Sequence, residues 1–232
     1  MLHKVLIFGH SFVHRLGSFA YEKRDKGWYN LGFDGTEIQV EYSGLGGGTL
    51  RPGPKSVQKA DFMKVISLYQ PGTVFLQIGG NDLDREDNPI SLARDIISFA
   101  NYLITCYDVS HVIVGQLIPR FSGTRSDYND KVIVVNNHLE LELKFVNNIT
   151  FWKHRGIWKN TRAIMSRDNV HFNDICQKCV ISCRQFKTFL KSIPYITTGF
   201  NCQCGLYCTK LKFFFTLFSQ TSDSLLSVGT PI

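Results

Sequence analysis

A chain of 232 residues is long enough to bury one full core and too short for two ordinary domains. With 44% apolar, 13% aromatic and 19% charged residues it has the make-up of a globular protein, and no apolar run approaches the roughly 18 to 20 residues of a membrane span, so no transmembrane helix is expected. The net charge of +7 is local: residues 1–150 carry 15 Lys and Arg against 16 Asp and Glu, whereas residues 151–193 carry 9 against 2.

The N-terminus, MLHKVLIFGHSF, holds an apolar run of about four residues, short of the 7 to 15 of a signal-peptide core, which predicts a cytoplasmic protein. That run, Lys4 to Phe8, is the first expected strand, and Glu37 to Tyr42 is the second. Val57, Ala60 and Met63, with Phe62, Ile66 and Tyr69, outline a helix before a third strand at Thr73 to Ile78. Asn88 and Pro89 then read as an N-cap followed by proline at the first helical position, and Ala93, Ile96, Ile97, Ala100, Leu103 and Ile104 share one face. A fourth strand is expected at His111 to Leu117, a helix with Tyr128, Val132, Val135, Leu139 and Leu143 inward, and a fifth strand at Asn148 to Trp152. The last helix should begin near Asn173 or Asp174 and bury Ile175, Cys179, Cys183, Phe186, Leu190 and Ile193.

Apolar, β-branched strands alternating with helices predict an α/β fold: three layers, flavodoxin-like, around a five-stranded parallel sheet. Residues 1–193 form the expected domain. After Pro194 the periodicity fails, and residues 194–232 are expected to be a poorly ordered C-terminal tail.

In such sheets the ligand crevice lies beyond the carboxyl ends of the strands. Gly9-His10-Ser11 follows the first strand, Gly44-Leu45-Gly46-Gly47-Gly48-Thr49 the second and Gly79-Gly80-Asn81-Asp82 the third, while Asp168-Asn169-Val170-His171 precedes the closing helix. A serine hydroxyl attacks an acyl carbonyl only with a histidine to take its proton and an acid to hold that imidazole, and Ser11, His171 and Asp168 are those three residue types. The tetrahedral intermediate also needs donors aimed at its oxyanion. A glycine N–H and an asparagine amide, beside the N–H of Ser11, can supply them, which makes Gly47 and Asn81 the candidates.

This series of short blocks resembles the SGNH (GDSL-like) hydrolases, whose Ser, Gly, Asn and His come from four separate motifs, with an Asp three residues before the His. The resemblance spans roughly residues 3–193. It implies that Ser11 is nucleophile and oxyanion donor, Gly47 the backbone donor, Asn81 the side-chain donor, His171 the base and Asp168 its orienter; Gly46 and Gly48 are alternatives to Gly47. The Gly-x-Ser-x-Gly elbow of ordinary α/β-hydrolases is absent from GHSFV. One position departs from the pattern. The family usually has Gly-Asp-Ser, and His10 stands where the acid should be, which implies reduced or lost activity because an imidazole cannot replace a carboxylate as acceptor for backbone N–H groups.

Each block alone has a plainer explanation. Ser11 suits the N-cap of a helix, Asn81 and Asp82 suit turns, Asp168 and His171 suit a loop ion pair, and His14 suits an exposed helix face. The glycine cluster lacks the Gly-Lys-Ser/Thr ending of a phosphate loop. Seven cysteines, six of them after residue 175, make no disulfide framework, and the 176, 179 and 183 positions run along one helix rather than across a zinc knuckle. Neither metal nor organic cofactor is implied. Two functions follow. The first is a serine esterase acting on a small ester such as an acetylated sugar or a lipid. The second is an impaired binding module on the same fold, using the basic stretch from Lys153 to Lys191 to hold an anionic partner such as nucleic acid. Oligomeric state is not legible.

Overall fold

The runs Val5-Leu6-Ile7-Phe8, Val74-Phe75-Leu76 and Val112-Ile113-Val114 have no polar alternation, so a strand made from them must be covered on both faces. The computed structural model describes residues 2–85, 88–121, 126–154, 164–174, 176–177 and 184–198 and shows that arrangement. In chain order the elements are β1 (His3–Gly9), α1 (Ser11–Glu22), β2 (Ile38–Gly44), α2 (Ala60–Tyr69), β3 (Thr73–Gln77), α3 (Pro89–Tyr107), β4 (His111–Gly115), α4 (Tyr128–Leu143), β5 (Ile149–Trp152) and α5 (Arg184–Thr198). The strands form a single all-parallel sheet in the order β2-β1-β3-β4-β5. This is the expected five-stranded α/β architecture.

Alternate residues of each strand enter different cores. Leu6, Phe8, Val74, Leu76, Val112 and Val114 pack with α2, α3 and α4, while Val5, Ile7, Val40, Phe75 and Ile113 pack with Val13, Phe19 and Ala20 of α1 and Phe186, Leu190 and Ile193 of α5. The helices therefore lie on opposite faces, and chain direction reverses about β1: it leaves through α1 to β2, then crosses back to β3. Between the carboxyl ends of β1 and β3 the crossovers diverge, which opens a crevice there.

Local chemistry sets the ends. Asn88 Oδ1 accepts the N–H groups of Ile90 and Ser91, with Pro89 behind it, so α3 starts as its sequence predicts. β4 stops at Gly115 rather than at Leu117, because Leu117 leaves the ladder for α4: Asn136 accepts its N–H at 2.8 Å and donates to its carbonyl at 3.0 Å. The closing helix is described from Arg184, and Cys179 and Cys183 lie outside the described residues. Its backbone runs on across Pro194 to Thr198, although a proline inside a helix removes one hydrogen bond. Residues 199–232 also lie outside.

Candidate active site

The turn that carries Ser11 follows from Gly9. A Cβ there would collide with the Gln77 carbonyl of β3, so only glycine lets the two strand ends close while the chain swings into α1. His10, in extended conformation and 1% exposed, caps α1 by accepting the Phe12 N–H on Nδ1 at 3.3 Å. This corrects the sequence-based expectation that an imidazole cannot serve in place of the carboxylate: a neutral ring has one lone pair, and one backbone N–H uses it. Burial, aided by the charges of Arg120 and His171, lowers its pKa to about 3, so it stays neutral. Ser11 is therefore not the cap but the first helical residue, whose N–H has no intrahelical carbonyl to reach.

Asp168 builds the loop that carries His171. Its Oδ1 accepts the Ser166 hydroxyl at 2.6 Å and the N–H groups of Val170 and His171 at 3.0 Å, while Asn169 takes a left-handed turn at φ 55°. The Ser166 N–H closes the loop on the His171 carbonyl at 2.7 Å. Thus folded, the loop sets Asp168 Oδ2 2.8 Å from His171 Nδ1 and His171 Nε2 2.8 Å from Ser11 Oγ. Burial pushes the Asp168 carboxyl up, but the donors from Ser166, His171 and Val170 carry it well below the usual carboxylate range. Burial first, then the charges of Arg15 and Arg120, hold His171 below the ordinary imidazole value against the pull of Asp168. With Asp168 ionised it accepts Nδ1–H, which leaves the Nε2 lone pair to the serine hydroxyl.

The second and third strand ends are tied to the first. Leu45 N–H donates to the Gly9 carbonyl at 2.9 Å, and Asn81 Nδ2 donates to the Gly48 carbonyl at 2.8 Å. Of the three glycines that sequence alone leaves open, Gly48 has its N–H committed to the Leu45 carbonyl at 2.8 Å. Gly47 sits at φ 71°, where a side chain would be strained, and neither its N–H nor that of Gly46 is bonded among the described residues. Asp82, 4% exposed, anchors the loop beyond: its carboxylate accepts from Leu50 N–H and Arg51 N–H, each at 3.0 Å.

Two residues that sequence reasoning passed over face these groups. Arg15, one turn along α1 from Ser11, meets Asp168 Oδ2 at 3.0 Å. Arg120, whose side chain is 4% exposed, bonds Asp84 Oδ2 at 2.8 Å and Asn81 Oδ1 at 2.7 Å. Its signal was a single charge in the apolar stretch GQLIPRF, just past a strand end in the expected crevice. At the ends of the basic stretch, Lys153 pairs with Glu140 at 2.6 Å and Lys191 with Glu37 at 3.6 Å, while 155–163 and 178–183 lie outside the described residues. Among the described residues no group of three or more His, Cys, Asp or Glu is placed to hold a metal, and no helix is long and apolar enough to cross a membrane.

No protein-family profile matches the chain, and neither does any curated protein sequence. Solved structures do. An esterase from Pseudoalteromonas, crystallised with monoethylphosphonate as inhibitor, superposes with TM-score 0.58 at 15% identity over 83% of this chain and 99% of its own. A carbohydrate acetylesterase from Sinorhizobium meliloti gives 0.56 at 14% over 81% and 98%, and a lipase/acylhydrolase from Enterococcus faecalis 0.52 at 16% over 82% and 95%. What the chain shares with these structures is the fold, the α/β architecture of a five-stranded parallel sheet covered by helices.

Proposed function

We propose that this protein is a serine esterase of the SGNH type. The single observation that carries the reading is the relay from Asp168 through His171 to Ser11, two hydrogen bonds of 2.8 Å in line. In the mechanism, Ser11 Oγ attacks the carbonyl carbon of an ester as its proton passes to His171 Nε2. The carbonyl oxygen, now an anion, takes hydrogen bonds from the N–H groups of Ser11 and Gly47 and from Asn81 Nδ2. Asp168 remains ionised and holds the imidazolium. The tetrahedral intermediate collapses with transfer of the His171 proton to the leaving alkoxide, which departs as the alcohol. Water, deprotonated by His171, then attacks the acyl-Ser11, and the acid leaves with the serine hydroxyl restored. No step draws on a metal or organic cofactor.

Short acyl esters, acetylated carbohydrates among them, are the first substrates to try, since relatives in fold are an esterase and a carbohydrate acetylesterase. The test is hydrolysis of p-nitrophenyl acetate between pH 5 and 9 by the protein and by Ser11→Ala. Turnover that vanishes in the variant supports the esterase; the same background rate in both rules it out.

A further inference from the structure

We infer that Arg120 is the positioning residue of the oxyanion hole, fixing through its guanidinium which way the Asn81 amide faces; the assignment rests on the esterase reading above. An asparagine amide can turn over by half a revolution with almost no change in shape, which exchanges its donor and acceptor ends. At Asn81 the two ends are pinned by groups of opposite character. Arg120 Nη2 donates to Oδ1 at 2.7 Å, and Nδ2 donates to the Gly48 carbonyl at 2.8 Å. Turned over, the amide would set N–H against guanidinium N–H and oxygen against carbonyl oxygen. In the orientation held, one N–H of Nδ2 is spent on Gly48 and the second is uncommitted among the described residues, available to an oxyanion.

Arg120 can do this because its backbone and both terminal guanidinium nitrogens are themselves held. Asn129, in the first turn of α4, accepts the Arg120 N–H at 3.0 Å and donates to its carbonyl at 2.8 Å. The guanidinium lies over the Tyr128 ring at 5.0 Å, and its Nη1 is tied to Asp84. The Tyr128 hydroxyl in turn donates to the Gly80 carbonyl at 3.2 Å, next to Asn81. Arg120 Nε is buried with no acceptor among the described residues. A hydrogen bond from a cation also draws charge from the amide oxygen and makes the far N–H a stronger donor. A lysine could not substitute, since a point charge cannot reach Asp84 and Asn81 as two arms of one rigid plane.

The test compares the intact protein with Arg120→Met, Arg120→Lys, Asn81→Ala and the Arg120→Met/Asn81→Ala double variant on p-nitrophenyl acetate, with thermal unfolding of each as control. Asn81→Ala should lower kcat about 100-fold or more, the cost of one oxyanion donor. Arg120→Met should lower kcat about 10- to 100-fold with KM within about twofold, and the double variant should be no slower than Asn81→Ala, since the arginine acts only through the asparagine. Arg120→Lys keeps a charge against Asp84 and with it the fold, so it answers the question should the methionine variant not fold; it should retain less than about a third of kcat. An active wild type whose two losses multiply, or whose Arg120→Lys variant matches it, overturns this assignment alone. A wild type without Ser11-dependent turnover overturns the esterase reading and this assignment with it.

Discussion

Arg15 Nη2 and His171 Nδ1 meet the same oxygen, Oδ2 of Asp168, at 3.0 and 2.8 Å. The orienting acid of the proposed triad thus has a cation on it beside the imidazole, from the helix whose first residue is Ser11. That cation repels the proton on His171 and contributes to holding its pKa below the ordinary value.

Removing it gives the first prediction. On the esterase reading His171 is the base and works only when neutral, so the acid limb of kcat/KM should lie below the ordinary imidazole value, and Arg15→Gln should move that limb to higher pH. Arg15 is 46% exposed, so the displacement should shrink as salt is raised. A pH–rate profile at low and high ionic strength reads both, and a limb that stays put excludes the coupling.

His10 supports a second prediction, about stability. His10→Ala deletes the cap of α1 and should cost about 1 kcal/mol or more, some 2–4 °C in Tm for a chain of this size. His10→Asn keeps a side-chain oxygen able to accept the Phe12 N–H and should lose less. Thermal melts of the two variants rank them, and equal losses would mean that the 3.3 Å bond contributes nothing.

Much of this architecture can be read from the sequence because burial on both faces leaves a direct trace: uninterrupted apolar runs such as Val5 to Phe8 and Val112 to Val114 fit no half-exposed strand. The order of the blocks after β1, β2 and β3, with Asp168 and His171 ahead of α5, is likewise visible, since Ser11, Gly47 and Asn81 each lie within a few residues of a strand end. Arg120 leaves a fainter trace, one charge in an apolar stretch past β4. Its place is set by Asn129 and Asn136, which stitch the chain after β4 to a helix that begins only later, and no period or spacing records a side chain clamping a distant backbone. Residue type alone misjudges His10, because its burial and the single acceptor it presents belong to the tertiary structure.

Acid should destabilise the fold through histidines kept neutral by it, His10 and His111 buried and His154 half-buried. Burial lowers His154 to about 4 and His111 to about 4, as well as His10 to about 3, against about 6.5 in the unfolded chain. Below pH 6.5 the unfolded state takes up protons that the folded state refuses, so stability is complete above that value and falls as pH drops toward the folded-state values. Each fully linked histidine contributes a slope of about 1.4 kcal/mol per pH unit in that window. Urea unfolding at pH 5, 6, 7 and 8 should show the decline, and His154→Gln, which can still bond Gln77 from its amide, should flatten it.

The last prediction concerns Asp82, which bonds no residue of the proposed triad. Its carboxylate accepts from Leu50 and Arg51 N–H groups at 3.0 Å, and this fastens the far end of the loop that presents Gly47. Burial raises its pKa while those N–H donors and the Arg51 charge pull it down, as expected of an anion kept inside to satisfy backbone. Asp82→Ala would strand two N–H groups, one of them buried, at about 1–3 kcal/mol for a group left without partner. The loop can recover those bonds from water only by opening, and opening moves the Gly47 N–H away from the proposed oxyanion site. Asp82→Ala should therefore lower both Tm and kcat while leaving the acid limb of the pH profile in place, because Ser11, His171 and Asp168 are bonded elsewhere. Asp82→Asn keeps one accepting oxygen but turns an N–H toward the loop, so it should fall between the alanine variant and the wild type. Loss of Tm with kcat intact would mean that the loop holds its shape without the anchor, and that Gly47 is positioned by the Leu45–Gly9 and Asn81–Gly48 bonds alone.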